Sequence, residues 1–315
     1  MISEANAARP AVRQLRGATV SVEELIALRG VKLPLRTITR PAHAPFSGNR
    51  LSRLRGRGVD FAEVRLYQPG DDVRSIDWRV TARKAKPHTK IYREERERPT
   101  LVVVDQSRSM LFGSRVRLKS VAAAECAALL AWHSVDGGDR VGGVVYDDVA
   151  EHAFKPFRSA RAVVRLLSRL GLANRALLDA GARLPSQRRL PSVLAHLVRV
   201  ARNGYRIYLI SDFDGFDADD ERQLHRLARH NSLVLIHVSD PLEQELPPPD
   251  RYSVTDGAAR STLSTADAKA RQKYHDDFAA HACRVENACI ATHSQFITLA
   301  TNEPAVARLV ERLIQ

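Results

Sequence analysis

The sequence predicts an α/β fold, with a doubly wound, mostly parallel sheet preceded by a small β-rich segment. From residue 101 onward, short apolar runs alternate with longer stretches of helical period, which is typical of parallel strands joined by helical crossovers. The first run, Leu101 to Val104, is wholly apolar and mostly β-branched, as expected for a strand buried on both faces. The 315 residues are 44% hydrophobic, which is enough for a sizeable core.

Composition and cysteine usage narrow the class of protein. This hydrophobic fraction excludes disorder throughout, and Cys126, Cys283 and Cys289 lack the spacing of a metal site or a disulfide framework. Such cysteines suit a reducing compartment, so we expect a cytoplasmic protein. The chain has no apolar run of about 18 residues, and its first residues lack the apolar core of a secretory signal. We therefore expect no membrane span.

The first predicted part, residues 1–45, is an N-terminal arm with one short helix. The helix is expected from Ser21 to Arg29, because Ser21 and Glu24 have the spacing of a capping box. The first 18 residues are small, basic and aperiodic, which favours a flexible arm.

The second part, residues 46–99, is a basic segment predicted to be rich in β-structure. Residues 48–60 are rich in Gly and Arg and have no apolar period, which indicates a loop. Short alternating stretches around residues 61–66 and 90–92 then flank a turn at 69–72.

The third part, residues 100–315, carries the strand–helix alternation of the main domain. Strands are expected at 101–104, 140–146, 149–154, 206–210, 233–238, near Tyr252 and at 294–299, and helices at 116–134, 160–170, 193–201, 219–230, 265–287 and from Glu303.

Polar side chains follow two of the predicted strands directly. Asp105, Ser107 and Ser109 come after the first strand, and Asp212 comes after the strand at 206–210. In doubly wound sheets, ligands bind beyond the carboxyl ends of the strands, and hard oxygen donors suit Mg²⁺. The sequence therefore predicts a site for Mg²⁺ or Mn²⁺ there. The alternative is that Asp105 caps the next helix while the serines solvate a tight turn.

Two sets of residues resemble known families. The Asp105-x-Ser107-x-Ser109 pattern with a later Asp212 resembles the metal-ion-dependent adhesion site (MIDAS) of the von Willebrand factor type A fold. The stretch from Arg55 to Arg83 resembles the signature of the bacterial domain of unknown function family 58, as does the segment from Asp240 to Pro247. The most specific signature residues are Gly70, Asp71, Asp72, Arg74, Asp77 and Trp78.

This resemblance implies a function as well as a fold. Members of family 58 are usually encoded beside a MoxR-type AAA+ ATPase and are thought to act as its adaptor or chaperone partner. The implied role is a non-enzymatic protein-interaction module, in which a cation at the strand ends binds an acidic protein surface. The chain has no phosphate-binding loop of the Gly-x-x-x-x-Gly-Lys-Ser/Thr type, so we expect no ATP hydrolysis of its own.

One position departs from the adhesion-site pattern. A Thr is expected where this chain has Pro191 and Ser192, and proline offers no side-chain oxygen. Ser192 becomes a metal ligand only if its loop shifts by one residue. We therefore expect weakened metal binding or a vestigial site.

The signature residues also have structural interpretations. Trp78 is expected to be a packing anchor, and Asp77 is expected to satisfy backbone groups or a nearby Arg. Asp71 and Asp72 fit a turn. The functional alternative is that this motif braces the metal loop or forms a surface that faces the ATPase.

An enzymatic alternative is a Mg-dependent phosphatase-like hydrolase. Asp212 and Asp214 follow a strand and resemble the nucleophile loop of haloacid-dehalogenase-type phosphatases. That mechanism also needs a Lys and paired carboxylates, but Lys273, Asp276 and Asp277 fall on a predicted helix rather than at strand ends.

The charge of the chain suggests a third class of function, nucleic-acid binding. The net charge is +13, and residues 1–100 hold 21 Lys and Arg against 11 Asp and Glu. Binding through this basic segment would weaken steeply with salt. No helix-turn-helix, zinc-finger or RNA-binding signature is visible, so we expect no specific nucleic-acid recognition.

Overall fold

The computed structural model describes residues 14–33, 59–68, 73–84, 86–94, 98–180, 188–255 and 260–313. The chain divides into two compact units. The larger contains residues 1–42 and 98–315, and the smaller contains residues 43–97.

Helices and strands alternate along most of the described chain. The helices are α1 (Val22–Ala27), α2 (Trp78–Lys84), α3 (Lys119–Asp136), α4 (Ala160–Ala180), α5 (Leu190–Val200), α6 (Ala218–Ala228), α7 (Pro241–Gln244), α8 (Ala268–Ala291) and α9 (Ala305–Leu313). The strands are β1 (Val59–Leu66), β2 (His88–Glu94), β3 (Pro99–Asp105), β4 (Arg140–Tyr146), β5 (Glu151–Phe157), β6 (Arg206–Ser211), β7 (Ser232–Ser239), β8 (Arg251–Thr255), β9 (Arg260–Ser264) and β10 (Gln295–Ala300).

The larger unit is built on a six-stranded sheet with the order β10-β7-β6-β3-β4-β5. Every neighbouring pair is parallel except β4 and β5, which are antiparallel. The chain proceeds from β3 towards one edge and then returns to place β6 on the other side of β3. This order confirms the predicted doubly wound, mostly parallel sheet. Its switch point lies between β3 and β6, where ligands bind in folds of this class.

The core consists of two apolar layers, one on each face of the sheet. One layer contains α3, α4, α9 and the N-terminal segment, and the other contains α5, α6 and part of α8. Helix α3 is buried along nearly its whole length because it is apolar on almost every face. It is rich in alanine, whose small side chain lets the helix lie close to its neighbours.

The described part of the N-terminal arm, residues 14–33, packs into the main core. Leu15, Leu25 and Leu28 are buried, and the Gly17 amide donates to the Val116 carbonyl at 3.0 Å. The expectation that residues 14–18 are flexible is therefore wrong. Isolated anchor residues such as Leu15 leave no periodic pattern in the sequence from which their burial could be predicted. The capping box of Ser21 and Glu24 is confirmed. Residues 1–13 lie outside the described part.

The smaller unit pairs β1 with β2 in an antiparallel ladder. Helix α2 was not predicted from the sequence. It begins at Trp78 because the Asp77 carboxylate accepts from the Arg79 and Val80 amides, which confirms the expected backbone role of Asp77. Trp78 itself is 67% exposed, so its predicted role as a packing anchor is wrong.

Of the remaining signature residues, only Arg74 lies in the described part of the chain. Arg74 lies in a short 3₁₀ turn formed by Val73–Ser75. Gly70, Asp71 and Asp72 lie outside the described residues.

Further details differ from expectation in the larger unit, where α4 extends ten residues beyond the predicted 160–170 and α7 was not predicted. Helix α5 begins at Leu190, three residues earlier than predicted, because Pro191 is tolerated in the first turn of a helix. Strand β9, which pairs with β8, was not predicted. Among the described residues, no helix is long and apolar enough to cross a membrane.

Candidate functional site

The candidate site lies where β3 and β6 end side by side. Val104 pairs with Ile210 in the parallel register, so the residues after these two positions reach the same edge of the sheet. Asp105 is the last residue of β3, and Asp212 follows the last residue of β6. The fold therefore brings together two carboxylates that lie 107 residues apart in the sequence.

Asp105 is held by three hydrogen bonds in a buried position. Its Oδ1 accepts from the Ser107 amide at 2.8 Å, and its Oδ2 accepts from Ser211 Oγ at 2.6 Å and from the Tyr146 hydroxyl at 3.0 Å. Burial, followed by the negative charge of Asp212, raises the pKa of Asp105 to about 6. When it is ionised, Asp105 therefore carries a buried negative charge that a neighbouring cation would stabilise.

The two serines of the motif complete the cluster. Ser107 Oγ and Ser109 Oγ lie 3.1 Å apart. The Ser109 hydroxyl also lies near enough to the Asp212 carboxylate to help lower the pKa of that group. The contacts therefore join four of the predicted site residues, Asp105, Ser107, Ser109 and Asp212.

Asp212 also has a cationic partner that the sequence analysis missed. Lys119 Nζ donates to Asp212 Oδ2 at 2.8 Å and to Glu243 Oε1 at 2.5 Å, and its side chain is only 3% exposed. Burial by itself would raise the pKa of Asp212, but the Lys119 ammonium outweighs it and holds the pKa below the usual value. Burial would likewise lower the pKa of Lys119, but the two carboxylates raise it.

Arg117, two residues before Lys119, anchors the start of α3 and so fixes the position of this lysine. The Arg117 guanidinium donates to the carbonyls of Thr301 and Glu303 and forms a buried ion pair with Glu125. Glu243 is held as well, because its Oε2 accepts from the Asp240 amide at 2.9 Å in the capping box of α7. The ammonium therefore bridges two carboxylates that are each fixed by their own element.

The four clustered residues fit a small divalent cation. Two oxygens bound in neighbouring positions of an octahedron with bonds of about 2.1 Å lie roughly 3.0 Å apart, which is close to the separation of the two serine hydroxyls. Lys119 would compete for Asp212, however, so the metal affinity should be low. Among the described residues, no group of three or more Asp, Glu, His or Cys has the geometry of a metal site. A cation at this edge therefore depends on the serine hydroxyls.

Ser192, the fifth predicted ligand, has a different environment. It lies in the first turn of α5, where its Oγ donates to the Arg189 carbonyl at 2.8 Å. The Arg189 guanidinium in turn donates to the carbonyls of Asp148 and Val149. The start of α5 is thus tied to the loop after β4, and the hydroxyl of Ser192 already has a partner in its own helix.

Asp148 is a second residue that the sequence analysis missed. It is buried, and its carboxylate accepts from the Arg108 amide at 2.6 Å. This contact fixes the backbone between the two serines of the motif. The sequence offered little signal for it, since Asp148 lies between the predicted strands at 140–146 and 149–154.

A cavity of about 350 Å³, here called the edge cavity, opens beside the lysine. It is lined by Lys119, Asp212, Asp214, His237, Glu243, Tyr274, Asp277, Phe278 and His281. The edge cavity and the candidate metal site share Asp212, so the two lie next to each other at the sheet edge.

Several solved structures are similar to this chain. The protein BatB from Bacteroides thetaiotaomicron matches with a TM-score of 0.40 and 13% identity, covering 69% of this chain and 97% of the other. The SpRpn10 VWA domain matches with a TM-score of 0.33 and 10% identity, covering 68% of this chain and 94% of the other.

Relatives similar in sequence are found in mycobacteria. Uncharacterized protein Rv1480 of Mycobacterium tuberculosis is 33% identical over 233 residues, which is 74% of this chain and 70% of that protein. Uncharacterized protein Mb1516 of Mycobacterium bovis matches with the same identity and coverage. The family model described as "Protein of unknown function DUF58" matches residues 63–284, more than half of the chain. This match shows that the chain belongs to the DUF58 family.

Proposed function

We propose that this protein is a non-enzymatic interaction module that binds an acidic side chain of a partner protein at the carboxyl edge of its sheet. The observation that carries the proposal is the convergence of Asp105, Ser107, Ser109 and Asp212 from two adjacent strands. These residues would hold Mg²⁺ or Mn²⁺. When bound, the ion would supply positive charge for the carboxylate of the partner.

The hydrogen bonds and the ion pair formed by Asp105 and Asp212 favour a binding role over a catalytic one. Both oxygens of Asp105 already accept hydrogen bonds, and Asp212 is paired with a buried ammonium. A general base must be basic enough to take a proton, and the Lys119 ammonium holds the pKa of Asp212 below its usual value despite burial. The hydrogen bonds hold both carboxylates in fixed positions, which suits a binding role.

The proposed partner is a MoxR-type AAA+ ATPase. This assignment follows from the family resemblance, and the absence of a phosphate-binding loop in this sequence is compatible with it. In such a pair the ATPase would hydrolyse the nucleotide, and this chain would act as an adaptor in chaperone-like complex assembly. We also propose a cytoplasmic location, because Cys126, Cys283 and Cys289 are all free thiols.

Calorimetric titration with Mg²⁺ and Mn²⁺ tests the metal-dependent part of the proposal. We expect weak binding by the parent protein and no binding by Asp105→Ala or Ser109→Ala. Ser192→Ala is the matched control and should bind like the parent, because its hydroxyl donates within α5. Identical titrations for the parent and Asp105→Ala would refute metal dependence.

Co-purification from the native host, with and without Mg²⁺, tests the choice of partner. We expect a MoxR-type ATPase to be captured by the parent in the presence of Mg²⁺ and to be lost with Asp105→Ala. If the ATPase is captured equally with and without Mg²⁺, the protein would still be an interaction module, but its contact with the ATPase would not use this ion. Failure to capture the ATPase with any form of the protein would contradict the assignment of the partner.

One observation favours the phosphatase as a second candidate. Lys119, which was not considered in the sequence analysis, lies 2.8 Å from Asp212, and Asp277 lines the same cavity as Asp212 and Asp214. The excess of negative charge in this cavity disfavours a phosphate ester. Turnover of a generic phosphomonoester in the presence of Mg²⁺, abolished by Asp212→Asn, would establish the enzyme. Without turnover, the interaction role remains the better proposal.

A further inference from the structure

The edge cavity has a floor and a mouth of different character. Lys119, Asp212 and His237 are buried at its floor, whereas Asp214 and Asp277 are exposed at its mouth. Its volume of about 350 Å³ is at the lower end of the range of about 300–1,000 Å³ that is typical of small-ligand pockets. A cavity of this size suits one side chain or one small molecule.

One face of α8 forms an aromatic wall of this cavity. Tyr274, Phe278 and His281 lie at positions i, i+4 and i+7 of the helix and share one face, and Asp277 lies beside them. The wall is fixed in place, because the Tyr274 hydroxyl donates to the Leu242 carbonyl at 3.3 Å and His281 Nε2 donates to the Asp212 carbonyl at 3.0 Å. An aromatic stripe at this spacing usually faces a core, but here it faces an opening.

The charge of the cavity is opposite to that of the chain. Four carboxylates line it, from Asp212, Asp214, Glu243 and Asp277, and Lys119 supplies the one ammonium of the described lining. That ammonium is already shared between Asp212 and Glu243. Burial, followed by the effect of His281, lowers the pKa of His237 to about 4, so His237 is neutral at pH 7. A protein of net charge +13 therefore contains a local negative cavity with aromatic walls.

We propose that the edge cavity binds the guanidinium group of an arginine side chain from a partner protein. Tyr274 and Phe278 line the cavity with aromatic rings that can attract a cation, and the exposed carboxylates of Asp214 and Asp277 can pair with it at the mouth. Arginine fits better than lysine, because a planar guanidinium stacks on aromatic rings while it pairs with carboxylates.

This inference rests on the proposed role as an interaction module and adds a second contact to it. The candidate metal site would bind an acidic side chain, and the edge cavity next to it would bind a basic one. A partner segment with an acidic and a basic residue close together would use both. Such a two-charge requirement gives specificity, because a segment lacking either charge leaves one contact unmade.

Binding of a blocked arginine tests the proposal directly. The probe is N-acetylargininamide, and its uncharged isostere N-acetylcitrullinamide is the control ligand. In calorimetry or chemical-shift titration at low salt, without divalent metal, we expect a Kd of about 1 mM for the arginine probe. We expect binding of the citrulline probe to be at least about tenfold weaker, because it lacks the charge that the carboxylates and rings bind.

Two neighbouring variants show whether the cavity is the binding site. Asp277→Asn should weaken arginine binding by at least about fivefold. Asp276→Asn changes the net charge equally on the same helix, but Asp276 does not line the cavity and instead accepts from Gln272, so binding should remain as in the parent. Both residues are exposed, and unchanged melting temperatures will confirm that both variants fold.

The outcomes separate this inference from the metal-dependent function. Equal binding of the two probes, or equal losses in the two variants, would overturn the arginine pocket. Mg²⁺ titrations of Asp277→Asn should match those of the parent, because Asp277 is not one of the clustered metal-site residues. Arginine binding without any Mg²⁺ binding would support the pocket and refute the metal site, whereas Mg²⁺ binding without arginine binding would do the reverse.

Discussion

At the scale of the residue, Asp105 and Lys119 control the charge of the sheet edge in opposite ways. Asp105 is a buried carboxylate without a cationic partner among its described contacts. Asp212, next to it, has its charge balanced by Lys119. The sequence motif marks both aspartates, but it does not show which of them is already neutralised. Lys119 lies on a helix that starts 14 residues after Asp105, so only the folded chain reveals its role.

We expect the stability contributed by Asp105 to decrease as the pH rises. Its pKa is about 6 in the folded protein and 3.8 in the absence of the fold, so the native state binds more protons between these values. The stabilising effect is complete below pH 3.8 and is lost as the pH rises through about 6. Asp105→Asn removes this buried charge and should raise the melting temperature at pH 8 relative to the parent.

The measurement is a series of melting curves for both proteins from pH 4 to pH 8. The difference between them should shrink towards pH 4, where the carboxyl of the parent is protonated. In the same range, Mg²⁺ binding by the parent should weaken below pH 6, because protons compete for Asp105. A difference in melting temperature that stays constant with pH would contradict the assignment of the raised pKa to this residue.

We expect Lys119→Met to strengthen metal binding and weaken the fold. Removal of the ammonium frees Asp212 for the metal, so Mg²⁺ affinity should rise by roughly tenfold or more. The same change leaves Asp212 and Glu243 without their cation, which typically costs about 3–5 kcal/mol for a buried pair. Lys155→Met, at an exposed position of β5, is the control and should change neither calorimetric affinity nor denaturant stability. Unchanged Mg²⁺ affinity in Lys119→Met would show that the lysine does not compete with the metal.

At the scale of the element, the strands and helices of the main domain were the most predictable parts. The wholly apolar run of β3 and the strand β4 were located from composition alone, because strands buried on both faces show little polar interruption. Helix α2 was missed because the cap formed by Asp77, and not an apolar period, determines where it begins. Strand β9 was missed because it is exposed along its whole length and has no apolar face.

The N-terminal helix α1 is expected to be part of the domain core rather than an appendage. Leu25 is fully buried, and the Trp132 indole donates to its carbonyl at 3.0 Å. We expect Leu25→Ala to lower the free energy of unfolding by about 2–5 kcal/mol. The neighbouring Ile26→Ala, at a position that is 37% exposed, should cost less than about 1 kcal/mol. Urea unfolding of both variants is the measurement, and equal losses would contradict the packing of α1 against α3.

At the scale of the whole molecule, the fold was predictable but the placement of charge within it was not. The alternation of strands and helices determines a doubly wound sheet, and that sheet determines where Asp105 and Asp212 meet. The net charge of +13 suggested an acidic or nucleic-acid partner for the molecule in general. The edge cavity shows that a local surface can have the opposite sign, since it collects carboxylates from α7, from α8 and from the residues that follow β6.

The basic first hundred residues provide the last prediction, which separates nucleic-acid binding from partner binding. With 21 Lys and Arg against 11 Asp and Glu in that part, we expect weak binding to duplex DNA regardless of its sequence. A protein that contacts 6–10 phosphates loses about 10³–10⁵ in affinity between 50 and 200 mM salt. Filter binding of two unrelated duplexes across this range should give equal affinities and a steep decline, with Asp105→Ala indistinguishable from the parent because the site at the sheet edge is not involved. A preference for one duplex that persists at 200 mM salt would instead show specific recognition, and the basic segment would then have a function that is independent of the interaction module.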